Sequence, residues 1–154
     1  MAEPPDGDTW DVVPFERVGP IELGATKRDV LRLLKEDPFH TSVRGPVTTE
    51  VFRDVGADVE FDPEGRVLGV IARSNVVLTR YDAVLLSERT EAEVILDLEA
   101  LGHTVHRSEG GVLVPDLGLR CFIEEGVVTG VMGVRRDYEE VAPDAEPPEE
   151  ADDE

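Results

Sequence analysis

Two histidines are the residues of this chain whose type and spacing come nearest to a metal site. His103 and His106 lie three positions apart in the segment GHTVHR. Side chains three positions apart in a strand point to opposite faces, and no further cluster of ligand residues accompanies this pair. The sequence also contains no Walker loop and no G-x-S-x-G, H-E-x-x-H or C-x-x-C motif. It therefore predicts no metal, no cofactor and no enzymatic activity.

Three alternating acids, Asp58, Glu60 and Asp62, form a pattern that a calcium-binding loop also has. The following residues lack the glycine and the glutamate that such a loop needs at fixed positions, so calcium binding is not expected. The alternation is typical of a half-buried strand. We expect Val59 and Phe61 to enter the core while the three acids line the opposite face of a sheet.

Two similar amphipathic segments predict the helices that support this sheet. In ATKRDVLRLL, Thr26 is a predicted N-cap, and in RTEAEVILDL, Thr90 begins a T-x-x-E capping box. The apolar residues that follow each threonine recur at helical spacing, and the two segments match at an offset of 64 positions. This match suggests one module used twice, although Glu88 stands where the first copy has Gly24.

Alternating segments and turn signals follow each helix and predict antiparallel meanders, of about three strands in the first half. Further on, VGADVEF matches LGLRCFI, and LGVI matches TGVM, in the same order in both halves. The predicted fold is α+β, with two tandem helix-plus-antiparallel-meander modules forming one larger curved sheet. The predicted parts are an N-terminal arm (1–17), a first module (18–80), a second module (81–136) and a disordered acidic tail (137–154).

The matched halves also extend the predicted sheet face. Arg120 and Phe122 take the positions of Asp58 and Glu60 when the second half is laid over the first. An aromatic side chain on an otherwise solvated face marks a contact surface, unless a helix, the arm or a loop covers it. The sequence thus predicts a partner-binding face made of Asp58, Glu60, Asp62, Arg120 and Phe122.

Charge and composition restrict the partners. The chain has 35 acidic and 15 basic residues, and residues 137–154 hold ten of the acids and no Lys or Arg. A field of this sign repels nucleic acid and anionic membranes and speeds encounter with basic proteins, unless its role is solubility alone. Cys121 is the single cysteine, so no internal disulfide is possible. The start of the chain has no signal-like pattern and no apolar run approaches about 20 residues, which predicts a cytoplasmic protein.

The segment GPIELGATKRDVLRLL, followed by the VEFDPEGRVLGV hairpin, resembles the modules of the beta-lactamase-inhibitor-protein and BamE-like superfamily. In that superfamily an LGM-T-x-x-x-V-x-x-L pattern leads into a helix and an antiparallel sheet. The matching positions here are Ile21, Leu23, Gly24, Thr26, Val30 and Leu34, and the second copy keeps Thr90, Val94 and Leu98. The resemblance implies tandem modules whose joined sheets grip a protein partner. No inhibitory residue can be transferred to this chain.

These observations lead to one preferred function and two alternatives. The preferred one is a non-enzymatic acidic protein, of the immunity or inhibitor type, that neutralises a basic toxin or enzyme through its sheet face. One alternative is a small-ligand-binding or enzymatic domain with a pocket between sheet and helix. The other is a structural module in a larger assembly.

Overall fold

A computed structural model of the chain describes residues 9–108 and 110–141. These residues form three α-helices and two β-sheets, which confirms the predicted α+β class. In chain order the elements are β1 (Thr9–Val13), β2 (Arg17–Val18), β3 (Ile21–Glu22), α1 (Lys27–Leu34), β4 (His40–Arg44), β5 (Val47–Phe52), β6 (Ala57–Phe61), β7 (Val67–Arg73), β8 (Leu78–Tyr81), β9 (Val84–Leu85), α2 (Glu91–Ala100), β10 (His106–Ser108), β11 (Gly111–Val114), a 3-10 turn (Pro115–Leu117), β12 (Leu119–Glu124), β13 (Val127–Val134) and α3 (Tyr138–Val141).

The larger sheet joins the two halves of the chain. Its eight strands run in the order β10-β11-β12-β13-β7-β6-β5-β4, and every neighbouring pair is antiparallel. Each half supplies four consecutive strands, and the last strand of one half pairs with the last strand of the other. At this central seam Val70 of β7 lies opposite Gly133 of β13.

The smaller sheet brings together the segments that precede the two main helices. Its order is β3-β2-β1-β8-β9, and β1 pairs in parallel with β8, where Trp10 lies opposite Thr79. Trp10 and Val12 are buried in the main core. Residues 9–13 lie in the range predicted as an N-terminal arm, and the structure makes them an internal strand of this sheet.

Both main helices begin where the sequence predicts. The amide of Asp29 donates to Thr26 Oγ1 at 3.2 Å. In the second helix the amide of Glu93 donates to Thr90 Oγ1, and the Thr90 amide donates back to the Glu93 carboxylate, each at 3.2 Å. Each cap satisfies amides that have no partner inside the helix, which fixes the first turn.

The two halves also share an unusual turn before each helix. The amide of Gly24 donates to the Val67 carbonyl at 2.8 Å, and that of Glu88 donates to the Val128 carbonyl at 2.9 Å. Both donors have positive φ, 93° for Gly24 and 65° for Glu88. Glu88 therefore adopts the left-handed backbone that its glycine counterpart adopts more easily. Descent of the halves from one duplicated module stays a prediction.

The main core lies between the inner face of the large sheet, the helices α1 and α2, and the small sheet. Its fully buried side chains come from all of these elements and include Val18, Ile21, Val30, Phe52, Val59, Phe61, Leu86, Val94, Leu98 and Leu119. A second, smaller cluster lies on the other face of the large sheet, which we call the outer face. It consists of Val47, Leu68, Met132 and Tyr138, and through Tyr138 the short helix α3 covers part of that face.

The structure differs from the sequence prediction in the number of strands and in the bounds of the parts. The first half has four strands after its helix, where about three were predicted, because all five residues of β4 are exposed and show no apolar alternation. The predicted disordered tail (137–154) starts too early, since 138–141 form α3 and bury a tyrosine. Residues 142–154 and 1–8 lie outside the described residues. The predicted boundary between the modules at residue 80 falls inside β8.

Candidate functional site

One row of side chains crosses the outer face from edge to edge. Directly paired residues of antiparallel strands point to the same face. The strand register therefore places on one face the row His106, Leu113, Arg120, Met132, Ile71, Asp58, Val51 and His40. The two histidines at its ends are exposed, and Leu113, Arg120, Ile71 and Val51 are half-buried. The outer face is thus partly open and mixes apolar with basic groups.

Asp58, the residue of this row on β6, is enclosed by an ion pair. Its exposed fraction is only 7%. Arg73, on the neighbouring strand β7, donates from Nε to Oδ1 at 3.0 Å and from its terminal nitrogen to Oδ2. Two parallel bonds of this kind fix both groups and satisfy most of the carboxylate. Arg73 itself is exposed, so solvent reaches the basic partner and not the acid.

Glu60 lies under α3 and is 5% exposed. The hydroxyl of Tyr138 donates to Glu60 Oε1 at 2.9 Å. Burial raises the pKa of Glu60, and the Tyr138 bond and the charges of Arg44 and Arg120 oppose this rise without cancelling it. The same burial and the nearby Glu60 charge raise the pKa of Tyr138. The Tyr138 hydroxyl is therefore bonded to a carboxyl group whose charged form is disfavoured by burial.

Asp62 caps the turn after β6 and anchors the segment that leads to α3. Its Oδ1 accepts from the amides of Glu64 and Arg66, both at 2.9 Å, and Arg135 lies 3.0 Å from its Oδ2. Burial alone would raise the pKa of Asp62, but the bonds from Arg66, Arg135 and Glu64 outweigh it and lower that pKa. Arg135 is in turn held by Asp137, at 2.8 and 3.0 Å.

These contacts involve three residues of the predicted partner-binding face, whose role in binding stays a prediction. The alternation in β6 does place Asp58, Glu60 and Asp62 away from the main core, as predicted. All three are nevertheless buried and bonded within the protein, so they do not present an open acidic surface. Arg120 and Phe122 lie on the same face and are half-buried, and Phe122 packs against the second cluster. Contact of these two residues with a partner stays a prediction.

A cleft opens beside α3, over strands β11 to β13, and we call it the α3 cleft. Its volume is about 420 Å³. Apolar side chains form much of its wall, with Leu113, Met132 and Val134 on the sheet and Phe15 on the turn between β1 and β2. The other lining residues are Pro115, Gly118, Leu119, Arg120, Arg135, Arg136, Tyr138, Glu139 and Glu140. No sequence pattern predicts this cleft, because α3 lies in the range predicted as tail.

The arginines that line the α3 cleft differ in their partners. Arg135 is held by Asp62 and Asp137, and Arg136 lies over the Phe15 ring, 4.1 Å from its centroid. Arg120 is half-buried, and its guanidinium makes no hydrogen bond or ion pair with any residue in the described ranges, although its charge acts on Glu60. Arg120 therefore offers unused donors to the cleft.

A second candidate surface surrounds α2. The amide of Glu91 donates to the Gly126 carbonyl at 3.0 Å, which brings the acidic turn between β12 and β13 to the start of the helix. Five exposed acids define this α2 acidic surface: Glu88, Glu93, Glu99, Glu124 and Glu125. Arg89 lies 3.6 Å from Glu93, but within the described parts of the chain the other four acids make no ion pair. Leu96, three residues from both Glu93 and Glu99, is 68% exposed.

His103 and His106 lie in different surroundings. His103 Nε2 is 3.2 Å from the Tyr81 hydroxyl, and the rings meet edge to face. His106 is an exposed residue of the edge strand β10. Neither lines the α3 cleft.

The fold and these surfaces define an α+β protein with a partly open sheet face, a cleft and an acidic helix surface. The chain matches no protein-family model, no curated protein and no solved structure in significant comparisons. The resemblance to the beta-lactamase-inhibitor-protein and BamE-like superfamily therefore stays a prediction. Among the helices of the described residues, none has the length and apolar character needed to cross a membrane.

Proposed function

We propose that this protein is a non-enzymatic binding protein that captures a basic protein partner, as an immunity or inhibitor protein captures a toxin or enzyme. The observation that carries the proposal is the α2 acidic surface, whose carboxylates are exposed and mostly unpaired among the described residues. The acids of the sheet face are buried and bonded internally. The attraction for a basic partner is therefore assigned to α2 and not to β6.

The distribution of charge supports this assignment. Residues 18–80 hold ten acids and nine bases, whereas residues 81–136 hold ten acids and five bases. The first half is nearly balanced, and the second half, with α2, carries an excess of negative charge. A field of one sign over one part of a surface steers an oppositely charged partner to that part.

The surroundings of Leu96 support a protein partner over a small cation. Protein interfaces commonly have an apolar centre within a polar rim. Leu96 projects between Glu93 and Glu99 on the exposed side of α2, because residues three positions apart are neighbours on a helix. A basic protein would cover the leucine and pair with the flanking carboxylates.

The test is affinity capture from a lysate of the source cells, with a triple variant, Glu93→Gln, Leu96→Ser and Glu99→Gln. Glu93 also bonds the Thr90 amide, and glutamine keeps an acceptor there. The control variant, Glu16→Gln with Glu22→Gln, changes two exposed acids near the small sheet. Circular dichroism checks that both variants are folded.

We expect the wild type and the control to retain the same basic protein and the triple variant to lose most of it. Affinity of the purified pair, measured by titration calorimetry, should fall markedly between about 50 and 500 mM salt, because screening weakens exposed charge pairs. Equal retention by the triple variant would refute the assignment to α2. Failure to retain any basic protein would refute the proposed function.

A further inference from the structure

The α3 cleft has the composition of a ligand site and is independent of the α2 acidic surface. We propose that it binds a small apolar monocarboxylate, with Arg120 as the group that holds the carboxylate. Its volume of about 420 Å³ lies in the range of small-molecule sites. Such sites are mostly apolar and contain a few polar groups that orient the ligand.

Arg120 indicates that the ligand of the cleft is an anion. A guanidinium presents a planar fork of donors that matches a carboxylate with two parallel hydrogen bonds. Arg120 acts on the Glu60 carboxylate through its charge, but that carboxylate accepts from Tyr138, and the two residues make no ion pair. Within the described residues Arg120 therefore has a nearby negative charge but no bonded partner, and a ligand carboxylate would supply one.

The walls of the cleft indicate that the rest of the ligand is apolar. Leu113 and Met132 are the register partners on either side of Arg120, so apolar groups flank the guanidinium directly on the sheet. Val134 and the Phe15 ring continue this surface toward α3. A hydrocarbon chain or ring attached to the carboxylate would bury apolar area against these four side chains.

The acids at the rim restrict the charge of the ligand. Glu139 and Glu140 line the cleft from α3, and the chain as a whole has a formal net charge of −20. Both features repel a phosphate or a dicarboxylate more strongly than a single carboxylate. One anchoring arginine, apolar walls and an acidic rim together favour a monoanion with an apolar body.

Decanoate is a suitable probe, and decanol is its uncharged counterpart. Met132 lines the cleft, and the only other methionine is Met1. Isotope-labelled methionine methyl groups therefore give an NMR signal for the cleft itself. We expect decanoate to shift the Met132 signal saturably and decanol to do so only at much higher concentration.

The variant Arg120→Met removes the anchor and keeps a long side chain. Loss of a charge-assisted bidentate contact should weaken decanoate binding by about tenfold or more. Arg28→Met, an exposed residue of α1, makes the same change of net charge outside the cleft and should bind decanoate as the wild type does. Fluorescence of Trp10, the single tryptophan, checks the fold of both variants.

Three results would overturn the proposal: no shift of the Met132 signal at millimolar decanoate, equal binding of decanol, or undiminished binding by the Arg120→Met variant. None of them bears on the α2 acidic surface, because the two sites share no residue. Loss of partner capture by the α2 triple variant would likewise leave the decanoate result unchanged.

Discussion

Replacing Tyr138 by phenylalanine should lower the free energy of unfolding, and the loss should depend on the charge of Glu60. The change keeps the buried ring and removes only the hydroxyl that donates to Glu60 Oε1 at 2.9 Å. A hydrogen bond to a charged group contributes about 1.5–3 kcal/mol. Because Glu60 is only 5% exposed, water does not readily replace the lost donor. Near neutral pH we therefore expect the free energy of unfolding to fall by the full value of about 1.5–3 kcal/mol.

The loss should shrink as the pH falls. The pKa of Glu60 is raised in the folded protein above its ordinary value of 4.5, so folding favours the protonated form. Glu60 therefore lowers stability near neutral pH, and this penalty disappears as the pH falls through its raised pKa toward 4.5. Once Glu60 is protonated, the bond to Tyr138 joins two neutral groups and contributes about 0.5–1.5 kcal/mol. The difference between wild type and Tyr138→Phe should decrease over the same interval.

The assay is urea unfolding at a series of pH values, followed by Trp10 fluorescence and by far-ultraviolet circular dichroism. The matched background is Glu60→Gln, which keeps an acceptor for Tyr138 and cannot ionise. In that background the Tyr138→Phe change should lower stability by about 0.5–1.5 kcal/mol at every pH, which is the value for a neutral pair.

Two outcomes would refute this reasoning. One is a loss below about 0.5 kcal/mol near neutral pH, which is less than even a neutral hydrogen bond contributes. The other is an equal loss in the wild-type and Glu60→Gln backgrounds, which would show that the carboxylate charge has no part in the contact. The first result would mean that α3 leaves the sheet before the rest of the protein unfolds.

Two further predictions concern strands β11 and β12. A Cβ at Gly111 would lie 2.2 Å from the Cys121 carbonyl oxygen, so Gly111→Ala should lower stability by more than about 3 kcal/mol or abolish folding, as urea unfolding would show. Gly126→Ala is the control, because Gly126 lies at a turn with φ of 82° and open space around it, and its stability should fall by only about 1–2 kcal/mol. An equal loss of stability in the Gly111→Ala and Gly126→Ala variants would contradict the clash at Gly111. Burial raises the pKa of Cys121 to about 12, so a thiol reagent at pH 8 should label it only after denaturation. Rapid labelling of the folded protein would show that β12 opens.

The helices and turns could be predicted because their signals are local. Thr26 and Thr90 cap the helices through bonds to residues three positions on, which a sequence displays directly. The turn after β6 is similar, since Asp62 bonds amides two and four positions away. The alternation of apolar and acidic residues in β6 also predicts by itself which side chains enter the core and which lie on the outer face.

The candidate site could be predicted only in part, because its contacts are distant in the sequence. Alternation places Glu60 on the outer face, but it does not show that Tyr138, 78 positions later, covers it. An acid-rich stretch from residue 137 resembles a solvated tail, and only the buried ring of Tyr138 makes its first turn part of the fold. Strand β4 has no recognisable sequence pattern for a related reason, since an exposed edge strand needs no apolar alternation.

The seam between β7 and β13 has a consequence for synthesis of the chain on the ribosome. Val70 of β7 can pair with Gly133 of β13 only after Gly133 has been synthesised. One edge of β7 therefore stays unpaired until almost the whole described chain has been made. Pairings between residues this far apart form slowly, and an open strand edge invites association with other chains. A nascent chain that ends before β13 would therefore expose the middle of the finished sheet, and chaperone binding during translation should be strongest at that length.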